Sequence, residues 1–186
     1  KIENGEITFD FISPIENVPN IRLGQPVLIN IENGVAAMAL AQICGCTADE
    51  LRYGMSSYHG VVRRFDFKIK NDKHVLLSDY AHHPKEIFQS ARSLKQLYNN
   101  RKITAILQPH LYSRTKDFYK DFADALSQLD EVILCDIYPA RELPIEGVTS
   151  KLIYDCLKDG VQKQMIHKEE LLDLARERDF DVLVIL

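Results

Sequence analysis

The chain has 186 residues, of which 46% are hydrophobic and 27% charged, so it is long enough to bury a substantial core. A net charge of −4 without an obvious basic face argues against a general nucleic-acid binder. No apolar run approaches the roughly 18 residues that a membrane span needs, and the first residues lack the pattern of a signal peptide. The four cysteines have neither redox-pair nor zinc-site spacing, so we expect them to be reduced and mostly buried, in a cytoplasmic protein.

The first third of the sequence predicts one strand followed by two helices. Apolar and polar residues alternate over 7–11, as in a strand with one wet face. Residues 13–26 contain three prolines and a glycine, which predicts an irregular connection. Small apolar residues over 30–44 predict a helix that Gly45 ends. Residues 47–58 predict a second helix, which opens with the pattern of a capping box.

The rest of the sequence alternates short apolar runs with amphipathic segments. The predicted order is strand 65–69, strand 74–79, helix 84–99, strand 103–108, helix 115–128, strand 131–136, helix 149–159, helix 168–177 and strand 181–186. Such alternation implies an α/β fold, with a mostly parallel sheet covered by helices on both faces. The change in character predicts a domain boundary that separates residues 1–63 from residues 64–186. Because the last predicted strand, 181–186, has the apolar pattern of a central strand, we expect the sequence to be a fragment of a longer chain.

Polar side chains follow two of the apolar strands, 75–77 and 103–107. After the first strand come Ser78, Asp79, Tyr80, His82 and His83. After the second come Gln108, His110, Tyr112, Ser113 and Arg114. Each cluster leads into a helix, the first of which Pro84 opens. We expect the two strands to be neighbours, which would place both clusters at one edge of the sheet, where open α/β sheets bind ligands.

Each charged group in these clusters has a functional and a structural interpretation. Asp79 could accept two hydroxyls of a ribose, or it could be a turn or cap residue. Arg114 could bind a carboxylate or phosphate, or it could form a salt bridge with Asp117 on the same helix. Arg63 and Arg64 could reach phosphates across the domain boundary, or they could point to opposite faces of a strand into solvent.

The adjacent histidines His82 and His83 could bind zinc, but neighbouring residues rarely direct both side chains at one metal. No third ligand has diagnostic spacing, and the alternative is that His83 lies at the N-terminus of the helix that Pro84 opens. We therefore predict no metal site. The sequence contains neither G-x-x-x-x-G-K-[ST] nor G-x-G-x-x-G, so it has no loop that could cradle a triphosphate by its backbone.

Three motifs closely resemble those of the Mur ligases. They are G-V-V-R-R-F at 60–65, D-Y-A-H-H-P at 79–84 and Q-P-H-L-Y-S-R-T at 108–115. The segment P-I-E-G-V-T-S at 144–150 is also similar. The resemblance covers nearly the whole chain, and three motifs in the same order and at matching intervals are far more specific than any one of them.

The resemblance implies a three-domain protein with an N-terminal domain for the uridine nucleotide, a central P-loop ATPase domain and a C-terminal Rossmann-like domain. Residues 1–63 would be the end of the central domain, and residues 64–186 most of the C-terminal one. The implied reaction uses ATP and Mg²⁺ to join L-alanine to the carboxylate of UDP-N-acetylmuramate through an acyl phosphate, in peptidoglycan precursor synthesis. The main phosphate and metal ligands would lie upstream, and the sequence leaves open whether the protein is a homo-oligomer.

The resemblance also implies roles for individual residues, by their position in the motifs. Residues expected to bind the nucleotide are Asp79 at the ribose, Arg63 and Arg64 at the phosphates, and Asn30 and Asn33 near the adenine. Residues expected to face the amino acid and the acyl group are Tyr80, His82, His110 and Arg114, with Arg114 pairing with the carboxylate. The expected catalytic residues are His82, His110 and Arg64.

Three alternatives to this function stay open at the level of the sequence. One is a related recycling ligase that adds a tripeptide to the same nucleotide sugar, which the form of the 108–113 segment disfavours. Another is a non-catalytic nucleotide-binding module built on the same fold. The third is a metal hydrolase that uses the histidine pair.

Overall fold

In the computed structural model, which describes residues 1–3 and 5–186, the chain forms two sheets. The small antiparallel sheet contains β1 (Ile2–Glu3), β2 (Glu6–Phe11) and β3 (Val18–Arg22). Two helices follow, α1 (Ile29–Ile43) and α2 (Ala48–Ser57). A buried cluster joins this sheet to the helices, and it contains Phe11, Val18, Ile21, Met38 and Leu51.

The large sheet has six strands, with three helices between them and a fourth before the last strand. In chain order the elements are β4 (Asp66–Lys70), β5 (Val75–Ser78), α3 (Pro84–Leu97), β6 (Ile103–Leu107), α4 (Tyr112–Leu126), β7 (Glu131–Cys135), α5 (Lys151–Cys156), β8 (Gln162–Ile166), α6 (Leu171–Glu177) and β9 (Val182–Ile185). The strand order is β4-β5-β9-β6-β7-β8, and every pair is parallel except β4 with β5. The predicted α/β fold is confirmed.

Helices cover both faces of the large sheet, which explains why its inner strands are mostly apolar. All five residues of β6 and all five of β7 are buried. Residues such as Leu107 and Leu134 pack on one face, in the same cluster as α3, α4 and α5. Ile106 and Leu183 pack on the other face with Leu174 of α6. Within the described residues, the structure contains no helix that is both long enough and apolar enough to span a membrane.

The structure corrects several predictions about the elements. β3 lies inside the segment 13–26 that was predicted to be irregular, and β8 was missed because four of its five residues are exposed. The segment 168–177 is one turn of 3₁₀ helix followed by α6, rather than a continuous helix. The expectation that the cysteines are mostly buried is wrong. All four are unpaired, and three are exposed: Cys44, Cys46 and Cys156.

The predicted adjacency of β5 and β6 is also wrong, because β9 lies between them and pairs with both. Neighbouring strands are about 4.8 Å apart, so the ends of β5 and β6 are separated by about 10 Å. The end of β9 is bonded to both motifs that follow these strands. Ile185 O accepts a hydrogen bond from Asp79 N at 2.8 Å, and Leu186 O accepts one from Gln108 N at 3.5 Å. β9 therefore lies between the two motifs, and hydrogen bonds at its C-terminal end link it to both of them.

Candidate functional site

A cavity of about 380 Å³ opens at the carboxyl ends of β5, β9 and β6, and we call it the edge cavity. Ile185, the last residue of β9, and Leu186 line this cavity between the two motifs. The polar residues that line it are Arg63, Ser78, Asp79, Tyr80, His82, Gln108, His110 and Tyr138. Five predicted site residues are thus brought together in one place: Arg63, Asp79, Tyr80, His82 and His110.

A second cavity, of about 460 Å³, lies between the first part of the chain and α3, and we call it the seam cleft. Its polar lining residues are Gln25, Asn30, Tyr58, Arg64, Asp79, Lys85, Glu86, Gln89 and Ser90. Asp79 lines both cavities, so they adjoin at this carboxylate. Asn33 lines a different groove between α1 and α2, although its side chain donates to that of Asn30 at 3.4 Å. The structure therefore brings Asn30, but not Asn33, to the seam cleft.

Asp79 is held from two sides by parts of the chain that are distant in sequence. Its Oδ1 accepts a hydrogen bond from Phe65 N at 3.2 Å, and its Oδ2 accepts one from the hydroxyl of Ser90 on α3. A carboxylate has about four lone-pair sites, so these two bonds leave acceptor capacity at the wall that the two cavities share. That arrangement suits recognition of paired hydroxyls.

Arg63 and Arg64 lie in a tight turn that connects the two parts of the chain. The φ angles of Gly60, Arg63 and Phe65 are +82°, +65° and +48°. Arg63 and Phe65 thus adopt a left-handed backbone conformation that is rare for residues other than glycine. Both guanidinium groups lie near the ring of Tyr80, and Arg64 also pairs with Glu86 at 3.6 Å. Both arginines are exposed to solvent, as the structural alternative expected, but their guanidinium groups converge on one ring instead of pointing to opposite faces.

Glu86 organises the N-terminus of α3, and the sequence analysis missed it. Its Oε2 accepts the backbone N–H groups of His82 at 3.0 Å and His83 at 3.2 Å, and its carboxylate also lies 3.5 Å from Nδ1 of His82. Burial alone would raise the pKa of Glu86, but these N–H groups, the His82 ring and Arg64 together lower it below its ordinary value. The signal in the sequence was a glutamate three positions after a helix N-cap, as in a capping box.

The histidine pair has separate roles in the structure. His83 is the N-cap of α3, and its Nδ1 accepts the backbone N–H of Lys85 at 3.4 Å. The ring of His82 lies beside that of Tyr80, with centroids 5.0 Å apart, and faces the edge cavity. The helix-cap interpretation of His83 is thus confirmed. Over residues 1–3 and 5–186, the structure shows no group of three or more His, Cys, Asp or Glu residues that could hold a metal ion.

His110 packs against Tyr138, a residue of the long loop after β7 that the sequence analysis did not single out. Their ring centroids are 5.2 Å apart, and the two residues form an isolated parallel bridge. Burial lowers the pKa of His110, and the positive charge of Arg114 lowers it further. The surroundings of His110 thus favour the neutral imidazole, which can accept a proton.

Arg114 lies behind the edge cavity rather than in its lining. Its guanidinium donates a hydrogen bond to the backbone oxygen of His82 at 3.3 Å, which links the two motifs directly. The expected alternative, an ion pair with Asp117, is absent from the described part of the chain. A guanidinium has five N–H donors, so Arg114 keeps donors for an anionic group of a ligand. The site thus combines arginine cations, the Asp79 carboxylate with free hydrogen-bond acceptor capacity, and the imidazole of His110.

The 186 residues are similar to known ligases in both sequence and structure. They are 66% identical, over their whole length, to the UDP-N-acetylmuramate–L-alanine ligase of Phocaeicola vulgatus, of which they cover 41%. The solved UDP-N-acetylmuramate–alanine ligase of Thermotoga maritima matches all of this chain and 40% of its own, with a TM-score of 0.74 and 23% identity. A folylpolyglutamate synthase from the same organism matches all of this chain and 42% of its own, with the same TM-score and 16% identity. These two structures show a shared fold.

The chain spans about two fifths of the length of the curated relatives it matches. The family model described as "Mur ligase, glutamate ligase domain" matches residues 63–185, which is more than half of the sequence. The resemblance carried by the three motifs is thereby confirmed, and this chain belongs to the Mur ligase family.

Proposed function

We propose that this chain is part of an ATP-dependent ligase that joins L-alanine to the carboxylate of UDP-N-acetylmuramate, in peptidoglycan precursor synthesis. The observation that carries the proposal is the pair of adjoining cavities that share Asp79. A ligase must hold a nucleotide next to an acceptor, and here a cleft suited to adenosine opens beside a cavity lined by imidazoles. The 66% identity to the ligase of P. vulgatus supports the choice of substrates. The nucleotide substrates favour a cytoplasmic location.

We also propose that residues 1–63 are the end of a central ATPase domain and that residues 64–186 are most of the C-terminal ligase domain. The separate sheets support this division, as does the family match, which begins at residue 63. A further support is α1, which is almost wholly apolar from residue 35 to residue 43 although several of these residues are exposed. Leu40 is 66% exposed and Ile43 is 73% exposed, as expected of faces that a larger domain would cover.

On the nucleotide side, the residues of this chain would bind and orient the substrate rather than react with it. Asp79 would accept the ribose hydroxyls, and Asn30 would face the adenine with Asn33 behind it. Arg63 and Arg64 would stabilise the charge that develops on the phosphates, because cations fixed in advance need no reorganisation as that charge develops. ATP with Mg²⁺ would supply the phosphoryl group that converts the muramyl carboxylate to an acyl phosphate.

On the acceptor side, the residues would position L-alanine for attack on that acyl phosphate. Arg114 would pair with the amino-acid carboxylate, and Tyr80 and His82 would form the wall of the site. The ammonium group of L-alanine must lose a proton before it attacks, and the neutral imidazole of His110 could accept it. The nitrogen then bonds to the acyl carbon, and inorganic phosphate leaves.

The test is to incubate the full-length protein with UDP-N-acetylmuramate, ATP and Mg²⁺, and to compare L-alanine with a tripeptide acceptor. We expect phosphate release and an alanine-containing nucleotide product with L-alanine, and no ligase turnover by the isolated 186 residues. Asp79→Ala and Arg64→Gln should reduce turnover strongly. Matched changes at exposed positions, Asp117→Asn and Arg92→Gln, should not. Preference for the tripeptide, or normal turnover in the Asp79 and Arg64 variants, would contradict the proposal.

A further inference from the structure

The N-terminus of α4 is capped by a residue from another loop. The helix follows directly after Leu111, which has no side-chain cap interaction within the described residues and a φ of +78°. Glu142, 29 positions away from Ser113, supplies the cap instead. One carboxylate oxygen accepts Ser113 N at 2.9 Å, and the other accepts the Ser113 hydroxyl at 2.5 Å. The first N–H groups of a helix lack partners within the helix, and this carboxylate provides a hydrogen-bond acceptor for one of them.

The same loop is attached to the motif at a second point. Leu111 N donates to Tyr138 O at 3.0 Å, and Tyr138 N donates to Pro109 O at 2.8 Å. The segment 109–113 is therefore held by Tyr138 at one end and by Glu142 at the other. A residue such as Leu111, with a φ of +78°, keeps that conformation when its surroundings impose it. Tyr138 and Glu142 both belong to those surroundings, together with Thr115, which donates to Leu111 O.

The cap affects two proposed site residues: His110, which lies within the held segment, and Arg114, which follows it directly. His110 faces the edge cavity, and Arg114 follows Ser113 in the first turn of α4 and bonds to the backbone of His82. If the first turn of α4 shifts, both side chains move. The Glu142 carboxylate also occupies the helix N-terminus. An incoming carboxylate must then bind to the Arg114 side chain instead of the helix N–H groups.

We propose that Glu142 is a positioning residue, whose carboxylate fixes the first turn of α4 so that Arg114 and His110 are aligned for the amino-acid substrate. This inference rests on the proposed function and adds to it a residue outside the three motifs. Glu142 does not itself touch the substrate. Its effect is expected on the amino-acid site and not on the seam cleft, which is built from α3 and the first part of the chain.

The experiment uses the full-length protein with Glu142→Ala, Glu142→Gln and Ser113→Ala. Loss of a helix cap corresponds to roughly a 5- to 10-fold effect, so we expect Glu142→Ala to raise the KM for L-alanine by about that factor. The KM for ATP should stay within twofold of wild type. Glu142→Gln keeps an acceptor without the charge, and Ser113→Ala keeps the backbone bond, so both should have intermediate effects. The control is Glu146→Ala in the same loop, an exposed position that makes no hydrogen bond or ion pair within the described residues.

Two results would overturn the inference. One is a KM for L-alanine in Glu142→Ala that equals that of the control. The other is an equal rise in the KM values of both substrates, which would indicate general loss of structure. If wild-type full-length protein does not use L-alanine at all, the proposed function fails instead. The cap is then tested by amide hydrogen exchange, where Glu142→Ala should accelerate exchange over residues 112–114, and unchanged exchange would reject it.

Discussion

The guanidinium carbon of Arg63 lies 4.5 Å from the centre of the Tyr80 ring, and that of Arg64 lies 5.6 Å from the same centre. Two like charges are thus gathered at one aromatic ring, at the junction of the two cavities. The negative face of the ring offsets part of their mutual repulsion, and Glu86 offsets more by pairing with Arg64. Tyr80 therefore supports the cations structurally, in addition to the substrate contact proposed for it.

This arrangement predicts that the ring of Tyr80 matters more than its hydroxyl for binding ATP. An exposed cation–π contact contributes about 0.5–1 kcal/mol, so removal of two such contacts should raise the KM for ATP roughly 5- to 30-fold. If the proposed function is correct, Tyr80→Leu in the full-length protein should show that rise and Tyr80→Phe should stay near wild type. Equal KM values for the two variants would contradict the role of the ring.

The turn at Gly60 predicts a large loss of stability on a small substitution. A Cβ at Gly60 would lie 1.7 Å from the side-chain oxygen of Gln25, which is 5% exposed. That side chain donates to the backbone oxygens of Arg64 and Phe65, and Gly60→Ala would displace it. The strain of a positive φ costs about 1–2 kcal/mol, and two lost hydrogen bonds add about 1 kcal/mol each.

A matched control separates the two contributions. Gly147 has a φ of +74° and no described atom within 4 Å of the added Cβ. Gly147→Ala should therefore cost the strain alone, about 1–2 kcal/mol, whereas Gly60→Ala should cost about 3–4 kcal/mol in the free energy of unfolding. Denaturant unfolding followed by circular dichroism would measure both. Equal losses would mean that the Gln25 contacts contribute little.

Glu86 predicts a dependence of stability on pH. The pKa of Glu86 is lowered in the folded chain, so its contribution to stability is present above its ordinary value of 4.5 and is lost as the pH falls through the folded-state pKa. Glu86→Gln should therefore be less stable than wild type at pH 7, and the difference should shrink below pH 4.5. Other carboxylates titrate equally in both proteins and cancel in the difference. A difference that is constant from neutral to acidic pH would contradict this prediction.

His110 predicts a shifted titration that can be observed directly. Burial and the positive charge of Arg114 lower the pKa of His110 from its ordinary value of 6.5. Arg114→Gln removes that charge, so the titration midpoint of the His110 ring, followed by NMR, should move upward. Arg92→Gln on the exposed side of α3 should leave it in place. A wild-type midpoint at or above 6.5, or no movement in Arg114→Gln, would contradict the prediction.

The local sequence was sufficient to predict those helices and strands whose residue pattern results from burial or capping. β6 and β7 are mostly apolar because both faces of the sheet are covered, and Pro84 marks the start of α3 as expected. β8 could not be recognised in this way. It is an edge strand with mostly exposed residues, so neither alternation nor apolar continuity identifies it. β3 was similarly hidden by Pro19 and by its exposed polar residues.

In the site, too, residues set by the local sequence were predictable, whereas residues that act through long-range contacts were not. The motif residues were predictable because they follow the strands directly. Gln25, Tyr138 and Glu142 were not, since each acts through a contact with a residue 28 to 40 positions away. The position of β9 between β5 and β6 is likewise a long-range pairing that no local pattern encodes. Sequence reasoning thus found the groups at the strand ends but not the residues that hold them.

The central position of β9 has a consequence for how the protein is made. Residues 182–185 join the β4–β5 hairpin to β6, β7 and β8, so the sheet cannot close until they have emerged from the ribosome. Until then, β5 and β6 each present an unpaired backbone edge, which is the kind of surface that chaperones shield and that aggregation exploits. A nascent chain stalled before residue 182 would contain all three motifs but would lack β9, the strand that joins them.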